Sequence, residues 1–207
     1  MRKRTALATV GIACLVLACS IALIDRPLAR FAHEHLHGVA LFPALTKFAD
    51  VWQFAAMAIV AGAALLAIGG WRPTSQVSRS IVVAAIATLA TIVLKDQLKF
   101  VFGRTWPETW VDGNPSLIHD GVFGFFPFHG GRGWASFPSG HTAVMTAPVA
   151  SLWKELGRLR WIGCTLITLV AVGLLGANYH FAADVVAGAL LGAVVGCGIA
   201  RLTAADS

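Results

Sequence analysis

Uncharged apolar runs of bilayer length decide the environment of this chain before any motif is considered. Thr5 to Ile24 carries no charge across about 20 residues, the length that crosses a hydrocarbon core as a helix. Further apolar runs cover 51–68, 80–102, 140–152, 161–175 and 184–202. The whole chain is 57% apolar and only 13% charged, against about 25% charged in soluble domains. In lipid, backbone polar groups must be satisfied within the segment, so the runs predict helices. The expected fold is all-α, an integral membrane six-helix bundle forming a single domain over 1–207. The net charge of +6 does not indicate nucleic acid, because the cations are scattered through apolar sequence and form no basic aromatic stripe. Cys14, Cys19, Cys164 and Cys197 lie inside apolar runs without paired spacing, so neither a disulfide framework nor a zinc site follows from them.

Topology is read from the cations. Arg2-Lys3-Arg4 precedes the first run, which is long for a leader's apolar core and is read as a retained span that emerges at Asp25. Lys154, Arg158 and Arg160 crowd the short link after the fourth run. The positive-inside rule puts this link and both termini in the cytoplasm of a bacterial cell, with the opposite face periplasmic. Between the first two runs, His33, His35 and His37 alternate, a pattern that suits a strand better than a helix and completes no recognisable metal-ligand set; the segment reads as interfacial and amphipathic. The stretch from 103 to 139 changes to Gly, Pro and aromatics, including Trp106, Trp110, Phe123, Phe125 and Trp134, and reads as a loop at the membrane surface.

Chemistry-bearing residues gather at three places. Phe137-Pro138-Ser139-Gly140-His141 opens the fourth run: Ser is a strong N-cap, Gly admits a close ligand, and the first amides of a helix attract anions. Lys95, Asp96 and Lys99 stand in the last turns of the third run, where ionisable groups need a reason. His180 and Asp184 are four apart at the start of the sixth, so the carboxylate can take one ring N–H and leave the other nitrogen as a nucleophile. With six spans, all three places face the same side of the membrane. A histidine nucleophile, a second histidine as acid, and a cradle of Lys99, Arg104 and the Gly140 amide would serve phosphoryl transfer with no metal or other cofactor.

These stretches resemble the type 2 phosphatidic acid phosphatase family, membrane relatives of the vanadium haloperoxidases. That family's pattern is Lys-x6-Arg-Pro, then Pro-Ser-Gly-His, then Ser-Arg-x5-His-x3-Asp. Lys99 with Pro107 fits the first, Pro138-Ser139-Gly140-His141 the second in full, and His180 with Asp184 the end of the third, so the likeness covers about 95–196. The resemblance implies a lipid phosphate or diphosphate phosphatase, with His180 as nucleophile, Asp184 orienting it, His141 as acid, and Lys99, Ser139 and Gly140 binding phosphate. Its membrane partner would be the lipid substrate itself. A lipid phosphotransferase using the same site, or a non-catalytic membrane protein, is the alternative. Both family arginines are missing: Trp106 precedes Pro107, and Gly173-Leu174 stands where Ser-Arg is expected. Arg104 is the candidate replacement, as a phosphate ligand.

Overall fold

The computed structural model describes residues 2–110 and 113–205; Val111 and Asp112 of the aromatic loop lie outside the described residues. Among those residues the chain is helical, with isolated β-bridges and no strand. α1 (Arg2–Cys19) runs through one π-helical turn, Ser20–Ile24, into α2 (Asp25–Leu36). α3 (Leu41–Ile68) and α4 (Gln76–Phe102) follow. The short α5 (Leu117–Asp120) lies in the aromatic loop, and α6 (Gly140–Ser151), α7 (Arg160–Gly176) and α8 (Ala182–Ala205) complete the chain.

Five of these segments are long and apolar enough to cross a membrane: 7–36, 41–68, 76–102, 157–176 and 182–203. The expected fourth span is different. α6 has 12 residues, which at 1.5 Å per residue is about 18 Å, well short of a bilayer core of about 30 Å. It is also the most enclosed helix, packed against α3, α4, α7 and above all α8. Val144 and Met145 join Val170, Leu174 and Val185 in the main apolar core.

Two further expectations are corrected. The first long helix does not end at Asp25 but runs on to Leu36, and Asp25 is buried within the protein. Nor do the alternating histidines form a strand: His33 and His35 are on α2 and His37 follows its last turn. Helical geometry splits them, placing His33 and His37 together, while His35 stacks on Phe31.

The contact of α6 with α8 is set by small residues. A methyl group at Gly188 would strike the carbonyl oxygen of Ser139, one at Gly192 that of Ala143, and one at Gly196 that of Ala147. Glycine every fourth residue therefore lets the two backbones close together, the device that replaces the hydrophobic effect as a source of helix association in lipid. The consequence for function is register, since the seating of Gly188 on Ser139 fixes the start of α6 beside the start of α8. Ser139 N–H also donates to the Asp184 carbonyl at 2.9 Å.

The loop from 103 to 139 is built against the helix ends. Gly103 ends α4 in the left-handed region, with φ +55, and any side chain there would collide with the Phe126 carbonyl. Phe126 N–H in turn donates to Gly103 O at 2.8 Å, and Ser136 N–H to Arg104 O at 3.2 Å. Of the aromatics expected at the surface, Trp106 is buried, Phe123, Phe125 and Trp134 are half-buried and Trp110 is exposed; Phe137, at the end of the loop, is buried edge-on to both Phe102 and Phe125.

The packing of α6 on α8 predicts a position-specific cost. Gly192→Val should lower stability by about 1–3 kcal/mol, the usual range for overpacking. Gly198→Val, where an added side chain meets nothing within 4 Å, should be near neutral. Thermal unfolding in detergent measures both, and equal effects would rule out the glycine contact as the origin of the register.

Candidate active site

Three chain ends meet at one place: the last turns of α4, the first turn of α6, and the α7–α8 turn with the start of α8. His180 closes that turn, and its Nδ1 lies 3.4 Å from Asp184 Oδ2. The same carboxylate oxygen accepts from Ser136 Oγ at 2.6 Å and from Phe181 N–H at 3.0 Å. The carboxylate is thus fixed from several directions, and it fixes the imidazole. Ser136 Oγ is also 3.5 Å from His180 Nδ1. Burial pushes the His180 imidazole below the ordinary histidine value; the Asp184 carboxylate opposes that shift and the Lys99 cation adds to it. The environment therefore favours a neutral ring with Nδ1 engaged.

His141, one residue inside α6, is half-buried. Its Nε2 lies 3.1 Å from Asp50 Oδ1 on α3, and Lys47 approaches the other Asp50 oxygen at 3.2 Å. Lys99 Nζ sits over the Trp106 ring at 5.8 Å, and Trp106 lies against His180 with ring centroids 5.1 Å apart. Trp106, in the position expected to hold arginine, therefore touches both the cation and the imidazole. Lys95 lies across Gly140: a methyl group there would be 3.0 Å from the lysine Cδ. Arg132, exposed on the loop, is within electrostatic reach of Lys99. The Gly140 and His141 amides, the first two of α6, have no helical acceptor behind them, and the third, of Thr142, is taken by the Ser139 hydroxyl.

Two sequence-expected phosphate ligands have their side chains engaged within the protein. Arg104 is fully buried, with one terminal nitrogen 2.5 Å from Asp184 Oδ1 and the other 2.6 Å from Asp25 Oδ2. Both donor ends are taken by protein carboxylates, so Arg104 is corrected from phosphate ligand to the counter-charge of the site. Four rings, of Phe123, Phe125, Phe137 and Phe181, surround its guanidinium carbon at 4.4 to 6.0 Å. Ser139 is also fully buried; its hydroxyl accepts the Thr142 N–H and meets the Thr142 hydroxyl at 3.2 Å, which makes it the cap of α6. Lys99, Gly140, His141, His180 and Asp184 are brought together as expected.

Sequence reasoning missed Asp25, Asp50 and Ser136. Asp25 accepts the Ala183 N–H at 2.9 Å and the Ser20 hydroxyl at 3.4 Å, tying the π-helical turn to the start of α8. Asp25 stands just past the end of the first apolar run, next to Arg26, so its signal in the sequence was weak. Asp50 carried as weak a signal, at the edge of its run. Ser136 carried none.

Helices of bilayer length around a buried histidine–carboxylate pair, with cations near it, are the arrangement of a multi-pass membrane protein. Residues 76–206 match the PAP2 superfamily, and the chain belongs to it. The chain is 35% identical over 107 residues to a lipid A 1-phosphatase of Rhizobium johnstonii, a stretch covering 49% of this chain and 38% of that protein. A lipid A 1-phosphatase of Rhizobium etli is 34% identical over 106 residues, 48% of this chain and 40% of the relative. The matched segment thus spans about two fifths of these relatives. A transmembrane PAP2 type phosphatidylglycerolphosphate phosphatase from Bacillus subtilis shares the fold, with a TM-score of 0.56 over 95% of this chain and 96% of that one, at 19% identity.

Asp25→Asn should behave as a site mutation although Asp25 carries no proposed chemistry. Removing one partner of a buried ion pair typically costs on the order of 3 kcal/mol, and the loss would fall on the carboxylates flanking Arg104. Arg104→Lys should be damaging for the same reason, as one ammonium cannot bridge two carboxylates as a planar fork does. Unfolding curves in detergent check both; wild-type stability in either variant would remove the bridge from its structural role.

Proposed function

We propose that this chain is a membrane phosphatase acting on lipid phosphates or diphosphates, through a phosphohistidine formed at the outer, periplasmic face. The observation that carries the reading is the buried His180–Asp184 pair opposite Lys99 and the α6 amides, with His141 on the same rim. Membership of the PAP2 superfamily and the lipid A 1-phosphatase relatives support it, and make a lipid A-type phosphate the first substrate to try. In this reading the chain crosses the membrane six times, the fourth crossing being made by the short α6 together with the chain that flanks it, and both termini are cytoplasmic in a bacterial inner membrane.

The chemistry follows from the atoms. With Nδ1 held toward Asp184 and Ser136, the His180 Nε2 lone pair attacks phosphorus, and the bond from phosphorus to the lipid oxygen breaks. The leaving oxygen takes a proton from His141, whose positive form has Asp50 as counter-charge. Negative charge on the phosphoryl oxygens is met by Lys99, Lys95, Arg132 and the Gly140 amide. Water, giving a proton back to His141, then attacks the phosphohistidine and releases inorganic phosphate and neutral His180. Residue chemistry alone completes this cycle, and no residue in it is assigned as a metal ligand.

The deciding experiment is phosphate release in detergent from lipid A 1-phosphate, phosphatidylglycerol phosphate and a prenyl diphosphate. Wild type should release phosphate from at least one, with and without EDTA, and His180→Ala should abolish release. Lys99→Ala should lower the rate about a hundredfold or more, as single-donor removals at anionic transition states do. No release from any lipid by well-folded wild type, or full activity in His180→Ala, overturns the proposal. Phosphate transferred to a second lipid instead of water would identify a phosphotransferase.

The pH profile has a sign as well. The attacking imidazole must be neutral, and burial lowers its value, so the acid limb of the rate should lie below the ordinary histidine value of about 6.5. A rate that only falls as pH rises from the acid side, with chemistry limiting, contradicts the assignment of His180 as nucleophile.

A further inference from the structure

A second constellation stands apart from the phosphate site, on the same side of the helical body. His33 and His37 are four residues apart, so one helical turn stacks them on one face of α2, with ring centroids 5.4 Å apart. Glu108, from the loop after α4, reaches between them. Its Oε1 is 2.8 Å from His33 Nδ1 and 3.5 Å from His37 Nδ1. All three donor atoms lie within 4.8 Å of one another.

We propose that His33, His37 and Glu108 form a three-ligand site for a zinc-type divalent cation. Two imidazole nitrogens and one carboxylate oxygen are a donor set that zinc takes at about 2.0–2.2 Å, which sets neighbouring donors about 3.3 Å apart. The His37–Glu108 separation of 3.5 Å already matches, and the His33–Glu108 pair at 2.8 Å has to open by about half an ångström. Rotation of the half-exposed His33 ring supplies that movement.

The carboxylate is prepared in the way metal ligands usually are. Glu108 Oε2 accepts from Asn178 Nδ2 at 3.0 Å, and the same amide donates to Ala29 O on α2 at 3.1 Å. Asn178 is 3% exposed, so this outer contact is held from inside the protein. The other side is open. A cleft of about 260 Å³ borders the cluster, with His37, Glu108, Trp110, Asn178 and Tyr179 in its wall, and leaves room for water or another oxygen donor in a fourth position. Three segments far apart in sequence are thereby joined: the end of α2, the loop after α4, and the α7–α8 turn that leads to His180. The ion clamps these segments, and because it lies outside the phosphate cradle its removal leaves the phosphoryl chemistry intact.

The test uses full-length protein in detergent, purified through a histidine-free tag and stripped with chelator. Zinc chloride should bind at one ion per chain by calorimetry and raise the thermal midpoint. Cobalt(II) in its place should give the visible absorption of a low-coordinate site. Glu108→Gln and the double variant His33→Ala/His37→Ala should weaken zinc at least tenfold and lose the thermal shift. His35→Ala, whose ring faces away, should bind as wild type. His37 is largely exposed, so His37→Ala alone also keeps the test valid if the double variant folds poorly. Absence of saturable binding in wild type, or unchanged binding in His37→Ala and Glu108→Gln, overturns the proposal. Both readouts are independent of turnover, so a failure here leaves the phosphatase reading standing, and a failure there leaves this one.

Discussion

A guanidinium held between two carboxylates inside the protein is the interaction on which the rest of the molecule depends. Arg104 bridges Asp25 and Asp184, and all three side chains are fully enclosed. A single buried charge is expensive in any interior and more so beside lipid, so the three stand or fall together. The bridge has geometric consequences in each direction. Toward the N-terminus it pins the π-helical turn, toward the loop it gathers four phenylalanine rings, and toward the C-terminus it holds Asp184 at the height of His180. Aromatic faces suit such a cation, because their negative quadrupole supplements the carboxylates without adding another charge to bury.

The second constraint is the close approach of α6 and α8. Glycines 188, 192 and 196 remove the side chains that would hold these backbones apart, and Ser139 comes to rest on Gly188. Two motifs separated by some forty residues of sequence then share one register. The nucleophile pair is on one helix start, and the amide-lined cap with His141 is on the other. Their relative position is decided by backbone packing, not by contact between the reactive groups themselves, and this leaves the groups free for a ligand.

The aromatic loop shows how one composition can serve two ends. Rings such as Phe137 and Trp106 are interior, where Phe137 lies beside the Arg104 guanidinium and Trp106 touches both Lys99 and His180. Others, including Phe128 and Trp110, remain exposed at the rim. An aromatic-rich stretch between two helices of bilayer length reads naturally as an interfacial belt, because hydropathy reports affinity for an apolar setting and not whether lipid or protein supplies it.

The sequence by itself determined the membrane setting, the helices and most of the candidate site. Hydropathy and helical period are local properties, so the long apolar runs, the His180–Asp184 spacing and the Pro138-Ser139-Gly140-His141 helix start were legible from neighbouring residues alone. Only the tertiary structure decided how the charges are paired. Arg104 lies 79 and 80 residues from its two carboxylates, and Asp50 lies 91 from His141. No local rule relates such positions. Close to Pro107 in sequence, Arg104 looked like a phosphate ligand, yet packing turned both its donor ends to Asp25 and Asp184. The same holds for Glu108, which meets His33 only because the loop folds back over α2. Spacing along a helix names possible neighbours within a turn or two, whereas the partner of a buried charge is chosen by which helices pack together.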